Sequence, residues 1–377
     1  MLRSLLIPLV AGALVLGLSA ASQDPKDESP ASQPTSKPTE KKKRPFELMI
    51  GDPAPAIHAD EWLTGDAVEI EKGKIYFVYF WATWSAPSIG DFKPLSDLHQ
   101  KHADKGFKVV GFTHEDERGN RLFSVKETIK EHAENIAYPL AWDSKGVTLA
   151  RYMTASGHRN LPHGYLIDKS GRIAFLGHPG AIGDTLDALI EGTFDIEAAA
   201  KEYADLVNES LLRRALEGRI SEGYREGRLG DVVLALDELI ALGPKYRHYA
   251  VNKFRLLLKD LKDPESAYAW AIEASESCLA EDDNLLSTLA YSIVIRGDFE
   301  PKNYEVAMTL AQRAVEVSKG KNGQVWNTVG SIHFAREEYQ EAVDAMEKAV
   351  EFSINDNQKK SYTSTLGTYR TKLSRNQ

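Results

Sequence analysis

The chain has 377 residues, 42% hydrophobic and 27% charged, with a formal net charge of −9 and a pI near 5.7. That length accommodates two to three domains with sizeable cores, and the composition is that of globular protein. The acidic balance leaves no field to attract a phosphate backbone, so nucleic acid is not an expected partner. Cysteine occurs once, at Cys278, which excludes an intrachain disulfide, a four-cysteine zinc site and a resolving dithiol pair.

Residues 1–21 have the pattern of a secretory signal peptide. Arg3 gives a positive start, Leu5 to Leu18 is an apolar run, and Ser19-Ala20-Ala21 offers a small-x-small cleavage site. The run is shorter than the roughly 20 apolar residues of a membrane span, so no transmembrane span is expected in the mature chain. An uncleaved N-terminal anchor stands as the alternative. Residues 22–45 carry Pro25, Pro30, Pro34, Pro38 and Pro45 and close on Lys41-Lys42-Lys43-Arg44. Such a segment buries too little apolar surface to offset its chain entropy and reads as a disordered linker. A tether behind an export signal places the folded part outside the cytoplasm, in the periplasm or cell envelope.

Residues 46–194 read as mixed α/β. Ile75 to Phe80 is an unbroken run of aromatic and aliphatic residues, as expected of a strand buried on both faces. Phe107 to Thr113, Gly164 to Ile167 and Arg172 to Leu176 repeat the signature, the last two joined by the turn Asp168-Lys169-Ser170-Gly171. Helices are expected over Ser88 to Lys105 and Leu122 to Glu134. The succession predicts a parallel central sheet with crossover helices and an antiparallel far edge.

Three segments carry a family resemblance. Phe80-Trp81-Ala82-Thr83-Trp84-Ser85-Ala86-Pro87-Ser88 resembles the FWATWCxPC active-site segment of thioredoxin-fold proteins, with serine at both cysteine positions. It is most similar to the exported thiol-disulfide oxidoreductases of the TlpA/ResA type. Ile50 to Pro55 is similar to the opening of those domains and of peroxiredoxins. Leu161-Pro162-His163-Gly164-Tyr165-Leu166-Ile167-Asp168 resembles the segment whose proline is cis and faces the active site. The resemblance implies an α/β thioredoxin-like domain, with a mixed central sheet flanked by helices. Asp91 falls where that type usually has a glutamate, and Pro94 sits one residue later than the family's helix-kinking proline.

Chemistry of this kind needs sulfur. A thiolate attacks a disulfide and a second thiol resolves the product, with the attacker's pKa lowered to about 3.5–7.5 from about 8.5. A neutral serine hydroxyl does neither, and without a thiol no sulfenic acid forms on a peroxidatic route. Trp84, Ser85, Ala86, Pro87, Ser88 and Asp91 therefore read as a degenerate redox site, and the resemblance implies a peptide groove beside it at Leu161, Pro162 and His163. No catalytic residue, cofactor or metal is expected. A serine hydrolase using Ser85 with His163 and Asp91 stands as an alternative, although no nucleophile-elbow motif is present. Ser85 and Ser88 otherwise read as helix caps. His99 and His102, three apart, read as a solvated helix face.

From residue 195 to 377 only helical patterning remains. Gly192 is placed to end one helix and Asp195 to start the next. Trp326, Val329, Gly330, Tyr339, Ala342, Met346 and Ala349 match tetratricopeptide offsets, and anchor alanines at 235, 267, 307 and 342 recur at intervals of 32, 40 and 35 residues. The long interval holds an insertion around Phe299 to Asn303. These offsets resemble an all-α tetratricopeptide-like helical hairpin domain, a class that presents a concave surface to proteins or peptides; a generic helical bundle is the alternative. Cys278 reads as an incidental helical cysteine.

The two functions left in competition are a redox-inactive adaptor that binds a protein or peptide partner, and the oxidoreductase or peroxiredoxin-like activity that the family resemblance implies.

Overall fold

The structure, a computed structural model, describes residues 44–294 and 302–376. The signal segment 1–21, nearly all of the linker 22–45 and residues 299–301 of the insertion lie outside the described residues. Met1–Arg44 and Pro45–Gln377 are two separate units, and the second holds every strand and helix named below.

Six strands form one sheet: β1 (Glu61–Thr64), β2 (Ile75–Phe80), β3 (Phe107–Thr113), β4 (Leu140–Trp142), β5 (His163–Ile167) and β6 (Ile173–Gly177). Their order is β1-β4-β3-β2-β5-β6. β2, β3 and β4 run parallel, while β5 pairs antiparallel with β2 and β6 antiparallel with β5. This is a thioredoxin-like mixed sheet. The antiparallel part is larger than the expected far edge, because β5 already runs against β2 at the centre. Every residue of β2 is buried, as a strand covered on both faces requires. Phe77 and Tyr79 face one core with Trp81 and Phe92, and Tyr76, Val78 and Phe80 face the other with Tyr152 and Tyr165. Gly164 belongs to this packing, since a Cβ there would come within 2.1 Å of the Phe77 ring.

The stretch 88–105 is not one helix. It divides into α1 (Ala86–Gly90) and α2 (Phe92–Lys101), followed by a short 3₁₀ turn. Pro94 explains the break: its ring is incompatible with a helical carbonyl four residues back, at Gly90, and it has no amide to bond there. His99 and His102 are also not a solvated face. They continue the inward stripe of Leu95, so that the Val109 amide donates to His99 Nδ1 at 3.1 Å and His102 is buried. α3 (Leu122–Glu131), α4 (Val147–Leu149) and α5 (Gly183–Glu191) complete this half.

After Gly192, left-handed at φ 76°, Asp195 caps α6 (Ile196–Glu226), its carboxylate accepting from the Glu197 and Ala198 amides. The remaining elements are helical: α7 (Leu229–Ala241), α8 (Tyr249–Arg255), α9 (Pro264–Glu276), α10 (Asp283–Val294), α11 (Tyr304–Val317), α12 (Gly323–Ala335), α13 (Tyr339–Glu351) and α14 (Asp356–Asn376). Successive helices pack as pairs, α6 with α7, α8 with α9, α10 with α11 and α12 with α13. Ala235, Ala267, Ala307 and Ala342 fall on α7, α9, α11 and α13, and all four are fully buried. Cys278 is not helical; it follows the end of α9 in a turn, half-buried against the helical core. Among the described residues no helix is long and apolar enough to cross a membrane.

α6 also touches the sheet. It packs on β6, Tyr203 joins the sheet's second core, and Arg172 donates to Glu197 Oε1 at 2.6 Å.

Candidate functional site

Register brings the expected site residues to one end of the sheet. β2 ends at Phe80, opposite His163 at the start of β5. The segment leaving β2, Trp81 to Ser85, therefore emerges beside the segment entering β5, His158 to Pro162. The Leu161–Pro162 peptide is cis.

Ser85 occupies the N-cap position of α1, but its side chain makes no capping hydrogen bond. Ser88 Oγ instead donates to Ser85 Oγ at 2.8 Å, and both residues are buried. The expectation that these serines act as caps is thus corrected: the Ser85 side chain caps no amide and accepts from Ser88 instead. Tyr79 fixes the turn beneath them by donating to the Ser88 carbonyl at 2.7 Å. A double-mutant cycle measures the pair. Ser85→Ala alone leaves the Ser88 hydroxyl buried without its acceptor and is expected to cost about 1–3 kcal/mol. Adding Ser88→Ala removes that orphaned group, so urea denaturation should find the double variant less destabilised than the sum of the singles. Strict additivity would mean the hydrogen bond contributes nothing.

Ala86 and Pro87 are exposed at the start of α1, and Trp84 is 40% exposed. The Trp84 indole N–H donates to Asp116 Oδ2 at 2.7 Å, and the Arg118 guanidinium lies 4.5 Å over its ring. Burial raises the Asp116 pKa, but the Trp84 bond and the Asn120 and Arg118 amides outweigh it and hold the carboxyl below its ordinary value. Asp91 is the opposite case. Burial holds its pKa above the ordinary range, partly offset by His178, and its Oδ2 has no hydrogen-bond partner.

Two clefts flank the loop before Pro162, and His158, Arg159 and Asn160 line both. One, about 720 Å³, lies between Trp84, His114, Asp116 and Leu161. The other, about 660 Å³, runs from Pro162, His163 and His178 to Tyr203, Leu206 and Arg214 on α6. The cis-proline loop and α6 thus make opposite walls of one cleft.

His163 is the most perturbed group here. Its ring stacks on His158 at 4.3 Å, its Nε2 is buried without a hydrogen-bond partner, and burial followed by the charges of His158 and His178 pushes its pKa down to about 3. His158 is anchored through Ser156, whose Oγ lies 3.1 Å from His158 Nδ1 and 2.6 Å from the Tyr165 hydroxyl. With Ser85 committed to Ser88, and neither His163 Nε2 nor Asp91 Oδ2 hydrogen-bonded, these three residues make no nucleophilic relay.

Sequence reasoning placed Trp84 to Ser88, Asp91 and Leu161 to His163 at the site but missed Asp116, Arg118, His158 and the α6 wall. Asp116 and Arg118 carried one available signal: they follow a parallel strand at its carboxyl end, where α/β sheets place ligands. The α6 residues carried none, because helix α6 reaches the cleft only through tertiary packing.

Comparisons with known proteins bear on this half of the chain. Residues 50–176 match the profile described as the AhpC/TSA family. Protein FixW of Rhizobium leguminosarum is 26% identical over 204 residues, which is 52% of this chain and 92% of that protein. Thiol-disulfide oxidoreductase ResA of Bacillus thuringiensis subsp. konkukian is 28% identical over 128 residues, 33% of this chain and 68% of that one. Among solved structures, a thiol:disulfide interchange protein of the thioredoxin family from Chlorobium tepidum is 22% identical, with 38% of this chain and 96% of that chain covered at a TM-score of 0.31.

Proposed function

We infer that the N-terminal half, whose residues 50–176 match the AhpC/TSA family, is a redoxin domain of thioredoxin-like fold, similar to thiol-disulfide oxidoreductases. We propose that the protein itself is an exported, redox-inactive member of that group that binds a protein or peptide partner through the cis-proline groove and its helical hairpins. The observation that carries this reading is the buried Ser85–Ser88 pair, two hydroxyls 2.8 Å apart where exchange chemistry requires sulfur. Cys278 is no substitute: it lies in the helical half, and burial pushes its thiol pKa up, away from the reactive thiolate. In this reading residues 46–194 are the thioredoxin-like domain and 195–377 a tetratricopeptide-like domain, whose buried anchor alanines let paired helices approach closely. Export to the periplasm or cell envelope rests on the signal-like segment 1–21 and the linker behind it.

A second reading, thiol-disulfide oxidoreductase or peroxiredoxin-like activity, is favoured by the names of the similar proteins. One assay separates the two. The full chain is expected to give no disulfide-reductase or peroxidase turnover above the uncatalysed rate, with Cys278→Ser indistinguishable from it. Turnover that disappears in Cys278→Ser would overturn the redox-inactive reading and place a thiol site in the helical half.

A further inference from the structure

A second constellation lies at the β1 edge of the sheet, away from the serine pair. β1 pairs antiparallel with β4, Glu61 standing opposite Trp142. Just before β1 the Asp60 amide donates to the Trp142 carbonyl at 2.8 Å, which brings Asp60 close to Asp143. His58, two residues before Asp60, adds an imidazole. One potential ligand atom from each of His58, Asp60 and Asp143 lies within 4.8 Å of the other two.

The two carboxylates and the His58 backbone are held from behind, while the His58 ring meets Asp60 directly, Nε2 lying 3.2 Å from Oδ1. Asp60 Oδ2 accepts from the Ser144 amide at 2.8 Å and the Ser144 hydroxyl at 2.6 Å. Asp143 Oδ2 accepts from the Thr148 amide at 2.6 Å. The Thr148 hydroxyl accepts from the His58 amide at 2.7 Å and donates to the His58 carbonyl at 2.8 Å. Outer hydrogen bonds of this kind orient the ligands of metal sites. The decisive observation is Asp143 itself. It is 1% exposed, yet with Oδ2 committed to Thr148 its other oxygen, Oδ1, has no hydrogen-bond partner. A buried carboxylate oxygen without a donor is costly, and a bound cation removes that cost.

We propose that His58, Asp60 and Asp143 form a binding site for a divalent transition cation of the Zn²⁺ type. One imidazole and two carboxylates are the mixed nitrogen and oxygen donor set such ions accept. The side chains of His58 and Asp60 are 47% and 41% exposed, which gives the ion a way in and leaves room for water in its remaining positions. The ion would tie the entry to β1 to the loop leading into α4.

Isothermal titration of the full chain, stripped with EDTA and desalted, with zinc chloride tests this. One equivalent is expected to bind, with affinity falling at least about 10-fold in His58→Ala and in Asp60→Asn. Both side chains are half-exposed, and circular dichroism checks that each variant is folded. His158→Ala, which alters the cis-proline loop instead, is expected to bind as the wild type does. Absence of Zn²⁺ binding, unchanged affinity in either His58→Ala or Asp60→Asn, or loss of binding in His158→Ala would each overturn the assignment.

Discussion

Introducing Ser85→Cys and Ser88→Cys together is expected to create a disulfide and, with it, reductase turnover at least about 100-fold above the wild type, because thiolate rather than hydroxyl is the nucleophile in exchange. The geometry is in place. The two hydroxyls already meet at 2.8 Å across the first turn of α1, so sulfur atoms there need only a short approach to bond. The cis Leu161–Pro162 peptide and the exposed Trp84 remain beside them. Reduction of insulin with dithiothreitol as electron donor, together with thiol titration before and after oxidation, gives the readout. A variant that forms its disulfide but reduces nothing would show that the groove, and not only the sulfur, has departed from oxidoreductase chemistry.

The second large effect concerns acid stability and rests on His163. Its pKa in the folded protein is about 3, against about 6.5 in an unfolded chain. The folded value is the lower one, so below pH 6.5 the unfolded state takes up the proton first and protonation favours unfolding. The stability tied to neutral His163 is therefore complete above pH 6.5 and is lost progressively as pH falls from about 6.5 to about 3. Between pH 7 and pH 5 the loss comes to about 2 kcal/mol. His163→Phe, which keeps an aromatic ring against His158 and Tyr165, should lack that increment. Urea denaturation of both proteins at the two pH values measures it as a difference, so the other histidines cancel. Equal pH dependence in both proteins would show that His163 titrates normally.

How far the fold could be read in advance depended on the length and continuity of each signal. β2 and β3 were legible because their residues are apolar without interruption, the mark of burial on both faces. β1 and β4 were not. β4 has three residues and β1 four, β1 beginning at an exposed glutamate, too short for any periodicity to show. The caps at Gly192 and Asp195 were legible because capping is a property of a few neighbouring residues. The break at Asp91 was not read in advance, although its cause is local: the Pro94 ring excludes a helical carbonyl four residues back. At the site, the segments around Ser85 and Pro162 announced themselves by motif. The Trp84–Asp116 bond joins residues 32 apart, and the histidine–aspartate constellation reaches from 58 to 143, beyond any local pattern.

The amino-acid sequence by itself determined that positions 85 and 88 carry no sulfur, that a single thiol lies in the helical half, and that a strand-and-helix half precedes a helical one. Those are matters of atom type and short-range order, which the chain carries wherever it goes. Only the tertiary structure decided that the two serines bond each other instead of capping α1, that α6 walls the cis-proline cleft, and that His163 is shielded from water enough to stay neutral. Each of these depends on which distant segment covers a given group. Desolvation and long-range hydrogen bonds arise from that cover, and neither composition nor periodicity encodes it.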